Sequence, residues 1–290
     1  MRLEGKVAVI TGGGSGLGRE TGLLFTEEGA RVVLIDRVAK RVHEAADLIR
    51  SRGGEAIPVV GDVGVEDDIR RAVDTAVSEY GKLDIMFANA GSQTPSFGHI
   101  PIQDITEEEW QDICSTNLTG VIWSVKHAVR AMIGSGGSIV VTGSVAAFRA
   151  FPTTVLYGAT KGGVNGLVIS ASREIGKYGI RINCLNPSGG MSVNFLMPRD
   201  ADVVGKSYDE VRDWPDPHNP MPLKLPTPPT IRDNAYAVLF LASDESRYMT
   251  GGSLTPADGG ILNNIATTFN EDWEAGATSG LSLITGFGTK

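Results

Sequence analysis

Cysteine is scarce: the 290 residues hold 2, Cys114 and Cys184, isolated and without metal-ligand spacing. That excludes a disulfide framework and reads as two reduced thiols of a cytoplasmic protein. Long apolar runs are missing as well. None approaches the ~20 residues needed to cross a bilayer, and the first strand starts too close to Met1 for a signal peptide. Positive charge is not in excess. Lys and Arg number 26 against 34 Asp and Glu, a net charge of −8 that argues against a nucleic-acid or anionic-membrane surface. The histidines, His43, His99, His127 and His218, form no cluster, and no metal site is expected.

What is present is an ordinary supply of core. A hydrophobic content of 41% over this length is enough for one full domain. Strand and helix patterns alternate, with strands expected near 6–10, 31–35, 55–60, 83–88, 137–142, 180–185 and 253–256. Between them one long helix is expected from Glu107 to about Met132, opened by the capping box Thr106-x-x-Glu109. Such alternation predicts an α/β fold, a Rossmann-type doubly wound parallel sheet of about seven strands in three α/β/α layers.

Directly after the apolar run Val7–Ile10 comes Thr11-Gly12-Gly13-Gly14-Ser15-Gly16-Leu17-Gly18, and a helical pattern follows from about Arg19 to Glu28. Strand, glycine loop and helix are the context of a phosphate-binding turn. Gly12 permits the tight turn, Gly16 lets backbone approach a pyrophosphate, and Gly18 lets the helix pack closely. The second strand ends at Asp36, where a carboxylate accepts hydrogen bonds from ribose hydroxyls and repels a 2′-phosphate. NAD is therefore favoured, although the neighbouring Arg37 has the charge to pair with a phosphate. Further on, Tyr157 and Lys161 stand one helical turn apart. An ammonium beside a phenol favours the phenolate, and lowering a phenol by ~3 pKa units takes about 4 kcal/mol. The pair reads as an acid/base for an alcohol oxygen.

With these residues assembled, the chain resembles the short-chain dehydrogenase/reductase family from residue 5 to about 262. The resemblance rests on the glycine loop, including Ser15 and Leu17, and on Asp62-Val63, Ala88-Asn89-Ala90-Gly91, Asn117-Leu118-Thr119-Gly120, Ser144, Tyr157-x-x-x-Lys161 and Asn183-x-x-Asn186-Pro187. It implies a catalytic tetrad of Asn117, Ser144, Tyr157 and Lys161. In it Ser144 fixes the substrate oxygen, Lys161 lowers the Tyr157 pKa and holds the nicotinamide ribose, and Asn117 holds a proton-relaying water. Asp62 and Val63 are implied to meet the adenine, and Asn89, Ala90, Gly91, Pro187, Gly190 and Ser192 to line the cofactor. Two departures stand out. Ser188 replaces the usual glycine after Pro187, and Ser192 replaces the usual threonine.

Half of the 14 prolines fall between Pro215 and Pro229. By the same resemblance, 189–229 is a lid over the substrate. Met191, Phe195, Met197 and Trp214 would give it an apolar surface, and Phe97, Val145, Phe148 and Phe151 would line the facing wall. The remaining 263–290 form a carboxyl-terminal extension beyond a single catalytic domain of residues 1–262. Together these point to an NAD-dependent oxidoreductase acting on a hydrophobic secondary alcohol or its ketone. The resemblance further implies a homotetramer or homodimer. Two alternatives stay open: a 3-oxoacyl-type ketoreductase using NADP, and a non-catalytic NAD-binding regulatory protein. A dehalogenase is disfavoured by the intact glycine loop, and an epimerase or dehydratase by the absence of a larger substrate domain.

Overall fold

Val7–Thr11 (β1) is buried along its whole length, as a strand covered by helices on both faces must be. Its alternate side chains feed two separate cores. Val7 and Val9 join Val33, Ile35, Ile69, Val125 and Val164 on one face of the sheet. Ala8 and Ile10 join Leu24, Val32, Leu34, Ile49 and Leu239 on the other. Each large aliphatic side chain withdrawn from water in this way stabilises the fold by roughly 1.5–3 kcal/mol.

The computed structural model describes residues 1–92, 100–148, 155–188, 230–254 and 256–258. After β1 come Arg31–Asp36 (β2), Glu55–Val60 (β3), Ile85–Ala88 (β4), Gly137–Thr142 (β5), Ile180–Leu185 (β6) and Ser253–Leu254 (β7). The seven strands lie in the order β3-β2-β1-β4-β5-β6-β7 and every pairing is parallel. The helices are Gly16–Glu27 (α1), Ala39–Ser51 (α2), Glu66–Tyr80 (α3), Glu107–Cys114 (α4), Gly120–Met132 (α5), Val155–Ile175 (α6) and Ile231–Ala242 (α7). This is the doubly wound α/β sheet that the alternating pattern predicted. The strand order reverses between β1 and β4, which opens a crevice at their carboxyl ends.

Two expectations need correction. The first helix begins at Gly16 and not at Arg19, so the end of the glycine loop is already the first turn of α1. The long helix expected over 107–132 is broken by a π-turn at Ser115–Thr119, where the Gly120 N–H reaches back to the Ser115 carbonyl. The buried positions Ile113, Asn117, Val121 and Val125 recur every fourth residue across it, which is why the sequence reads straight through it. The capping box at Thr106 is present, with Thr106 Oγ1 accepting from the Glu109 N–H at 3.2 Å and Glu109 Oε2 accepting from the Thr106 N–H at 2.9 Å.

The close approach of α1 to the end of β1 depends on a missing side chain. A Cβ at Gly18 would lie 2.1 Å from the Gly12 carbonyl oxygen and 2.9 Å from Asn89 Nδ2. Gly18→Ala is therefore expected to force α1 off the sheet edge and destabilise the protein by roughly 1–3 kcal/mol. An unchanged urea midpoint for that variant would show that the loop accommodates a methyl group.

Candidate active site

At the carboxyl edge of the sheet, buried side chains continue the hydrogen bonding where the strands stop. Thr11 Oγ1 accepts from the Asn89 and Ala90 N–H groups, both at 2.9 Å, while Asn89 Nδ2 donates to the Thr11 carbonyl at 3.0 Å. Thr142 Oγ1 donates to Asn89 Oδ1 at 3.1 Å. The ends of β1, β4 and β5 are thereby tied in a row. From α6, Lys161 reaches the same edge, and its Nζ donates to the Thr142 carbonyl at 2.8 Å.

Ser144 follows β5 in extended backbone and opens a short 3₁₀ turn, Val145–Ala147. Its hydroxyl is hydrogen-bonded to that of Tyr157. Lys161 Nζ lies 5.7 Å from the centre of the Tyr157 ring. All three side chains are buried, with Lys161 only 2% exposed. Burial pushes the Tyr157 phenol above its ordinary value, and the bond from Ser144 draws it partly back. Within the structure Ser144 is the group that draws the phenol down, with the Lys161 amine close by. Lys161 is itself depressed by burial, to about 8. Next to it, burial pushes the Cys184 thiol up to about 12, so it stays protonated and unreactive near neutral pH.

Asn117 sits in the π-turn, fully buried. Its Oδ1 accepts from the Ser92 N–H and its Nδ2 donates to the Ser92 carbonyl, both at 2.8 Å. The side chain therefore braces the segment after Gly91. Asp36 accepts from the Gly14 N–H at 3.1 Å and the Val38 N–H at 3.0 Å. Burial raises its carboxyl, while those two N–H groups, Arg41 and Arg37 act in the opposite direction. The contribution of Arg41 was not read from the sequence. Asp62 Oδ1 accepts from the Gly64 N–H at 2.8 Å and closes its own turn. Val63 packs beside it, so close to Gly120 that a Cβ there would meet it at 2.7 Å.

Of the expected substrate wall, Val145 is buried under the 3₁₀ turn and Phe148 is exposed. Phe97, Phe151, Met191, Phe195, Met197 and Trp214 lie outside the described residues, as do Gly190, Ser192, His99, His218, the span 189–229 and the extension 263–290. Pro187 is described, and its carbonyl accepts from the Val145 N–H at 3.2 Å. The departure at Ser188 has a partner: its N–H donates to Asp258 Oδ2 at 2.9 Å, which also takes Asn234 Nδ2 at 3.2 Å. The sequence gives no local signal for the roles of Thr142, Asn165 and Ser253, which are long-range pairings. Among the described residues no group of His, Cys, Asp and Glu is arranged to hold a metal, and no helix is long and apolar enough to cross a membrane.

Burial of Lys161 has a measurable consequence. Its folded value is about 8 against 10.5 for the unfolded amine. Between those values the unfolded chain binds the extra proton, so this residue's contribution to stability rises with pH. Relative to Lys161→Met, the wild type is expected to gain roughly 2–3 kcal/mol between about pH 7 and pH 10. Parallel stability curves across that range would show that the amine is not desolvated.

Comparison with known proteins agrees with this architecture. Residues 6–202 match the short chain dehydrogenase family. A secoisolariciresinol dehydrogenase of Forsythia intermedia is 36% identical over 274 residues, spanning 92% of this chain and 94% of that protein. A borneol dehydrogenase of Lavandula x intermedia is 38% identical over 262 residues, 90% of this chain and 92% of that protein. The crystal structure of a short-chain type dehydrogenase/reductase from Mycobacterium marinum superposes with a TM-score of 0.74 at 29% identity, covering 89% of this chain and 95% of that one. The chain belongs to the short chain dehydrogenase family, whose members are nicotinamide-dependent oxidoreductases.

Proposed function

We propose that the protein is an NAD-dependent dehydrogenase that interconverts a hydrophobic secondary alcohol and its ketone. The observation that carries this reading is the convergence of Ser144, Tyr157 and Lys161, all buried, at the carboxyl edge of the sheet. A dinucleotide fits the residues beside them. The start of α1 offers N–H groups of Ser15, Gly16 and Leu17 to a pyrophosphate, Gly18 leaves no room for a side chain, and Asp36 stands at the end of β2 where a ribose diol would lie. When bound, the nicotinamide supplies the hydride acceptor or donor.

The chain's own residues then handle the proton. In the oxidative direction Tyr157, as the phenolate after its own proton has left to solvent, takes the proton of the alcohol at Oη, and Ser144 Oγ holds the same oxygen in place. A phenol raised by burial keeps its proton more firmly, which suits the donor role in ketone reduction and calls for nearby positive charge when it acts as a base. Lys161 provides that charge. Of its three N–H donors one is committed to Thr142, and the others suit the hydroxyls of the nicotinamide ribose.

Several features extend the reading. Asp36 favours NAD over NADP, since a 2′-phosphate would meet a carboxylate already held by two N–H groups. The catalytic domain is taken as residues 1–262, in the cytoplasm, assembled as a homotetramer or homodimer. For substrates, the borneol dehydrogenase among the relatives favours a ring alcohol.

Following NADH absorbance with a panel of ring alcohols, borneol included, is expected to show turnover. Tyr157→Phe should lower kcat by about 10²–10⁴-fold and leave NAD affinity near that of the wild type. Near-normal turnover in that variant would remove Tyr157 from the chemistry, and a wild type that binds NAD yet oxidises nothing would favour a regulatory role. Asp36→Ala is expected to relax the preference for NAD over NADP by about 10-fold or more, about 1.4 kcal/mol. An unchanged preference would transfer the discrimination to Arg37 and Arg41.

A further inference from the structure

Behind Ser144 lies a closed ring of hydrogen bonds that the proposed chemistry does not use directly. Asn165 Nδ2 donates to Asn186 Oδ1 at 3.1 Å, Asn186 Nδ2 donates to Ser253 Oγ at 2.7 Å, and Ser253 Oγ donates to Asn165 Oδ1 at 2.9 Å. All three bonds run in the same sense, so each donor polarises the next. Asn186 is 0% and Asn165 7% exposed, while Ser253 closes the ring from the more open edge strand β7.

Every remaining site on the Asn186 amide is also used. Its Nδ2 donates a second time, to the Leu254 carbonyl at 3.2 Å, and its Oδ1 accepts from the Ser144 N–H at 3.0 Å. Asn165 Nδ2 spends its other hydrogen on the Lys161 carbonyl, at 3.0 Å. One oxygen atom therefore receives both the main chain of Ser144 and a side chain rooted in α6, one turn beyond Lys161. The amide orientation is forced, because the reverse would set an NH₂ group against two donors.

The backbone around Ser144 shows what Asn186 replaces. Gly143 N–H donates to the Leu185 carbonyl at 2.7 Å and Val145 N–H to the Pro187 carbonyl at 3.2 Å. Between them, the Ser144 N–H takes a side chain as its acceptor, past the end of the β5–β6 ladder. Gly143 is shaped to this arrangement. A Cβ there would lie 2.2 Å from Asn186 Oδ1, 2.6 Å from Cys184 Sγ and 3.1 Å from Asn165 Nδ2.

We propose that Asn186, oriented by Asn165 and Ser253, is a positioning residue that fixes Ser144 relative to the helix bearing Tyr157 and Lys161. Its effect on turnover rests on the dehydrogenase reading, and its effect on geometry does not. The test combines alcohol oxidation kinetics, NAD titration and crystal structures of variants of the full chain. Asn186→Ala is expected to lower kcat by ~30-fold or more with NAD affinity within about threefold of wild type, and to cost less than about threefold in a Ser144→Ala background, where no serine hydroxyl is left to position. Losses that multiply in the double variant, or a loss confined to NAD affinity, overturn the proposal.

Asn186→Ala strands buried donors and is at risk of not folding, so Ser253→Ala, at an open position, serves as the second variant. It is expected to lower kcat by about 3–10-fold, again masked by Ser144→Ala, and a wild-type kcat or an unmasked loss overturns the proposal. A wild type that oxidises no alcohol on the panel defeats the dehydrogenase reading instead. The crystal structure of Ser253→Ala then decides: a Ser144 hydroxyl shifted away from that of Tyr157 supports positioning by the ring, and an unmoved pair overturns it.

Discussion

A lysine ammonium removed from water at the edge of a parallel sheet is the constraint around which the site is organised. Desolvating such an ion costs several kcal/mol even after relaxation. Here the cost is visible in the depressed value of Lys161, about 8. The cost is partly offset by one strong acceptor, the Thr142 carbonyl. That carbonyl is available because Thr142 is the last residue of β5. Thr142 is in turn held through its hydroxyl to Asn89, and Asn89 to Thr11. The ends of three strands are thus adjusted to the needs of one amine, and the amine brings α6 and Tyr157 with it.

Local signals in the chain reached most of this. The buried strands are legible because they are short apolar runs bounded by turn residues, and the glycine loop because its spacing is constrained by close backbone contacts. Tyr157 and Lys161 are legible because one helical turn separates them. The π-turn at Asn117 is not, since buried positions recur every fourth residue from Ile113 to Val125 straight through it. Nor was the ring of Asn165, Asn186 and Ser253, which joins residues that no local pattern relates. Asn186 stands beside Pro187 in the sequence, but its hydrogen bonds depend on what β7 and α6 place opposite it. Propensity and periodicity describe elements, and pairings between elements lie beyond them.

The electrostatics also differ from what spacing alone implied. Side by side in the sequence, Tyr157 and Lys161 read as a phenol lowered by an ammonium. In three dimensions burial acts on both, and it favours the neutral form of each: the phenol rises and the amine falls. With its value at about 8 the amine still carries its proton near neutral pH, while the raised phenol stays neutral, so the protein holds a proton-rich phenol at rest. Charge separation then has to come with binding in the cleft, where a cationic ring and a polar substrate oxygen change the balance. In the proposed dehydrogenase, the acid form of Tyr157 is then the default and its base form conditional.

Side-chain amides serve throughout as substitutes for main chain. Asn117 offers Ser92 both an acceptor and a donor, as a neighbouring strand would. Asn186 gives Ser144 a side-chain acceptor between the Gly143 and Val145 N–H groups, which bond the Leu185 and Pro187 carbonyls. A strand extended through these positions would satisfy the same groups, but it would also hold its side chains in strict alternation across the sheet. Amide partners satisfy the backbone without imposing that alternation. The segments after β4 and β5 can therefore turn out of the sheet toward the crevice and remain fixed, which is the combination of rigidity and irregular path that a catalytic edge requires.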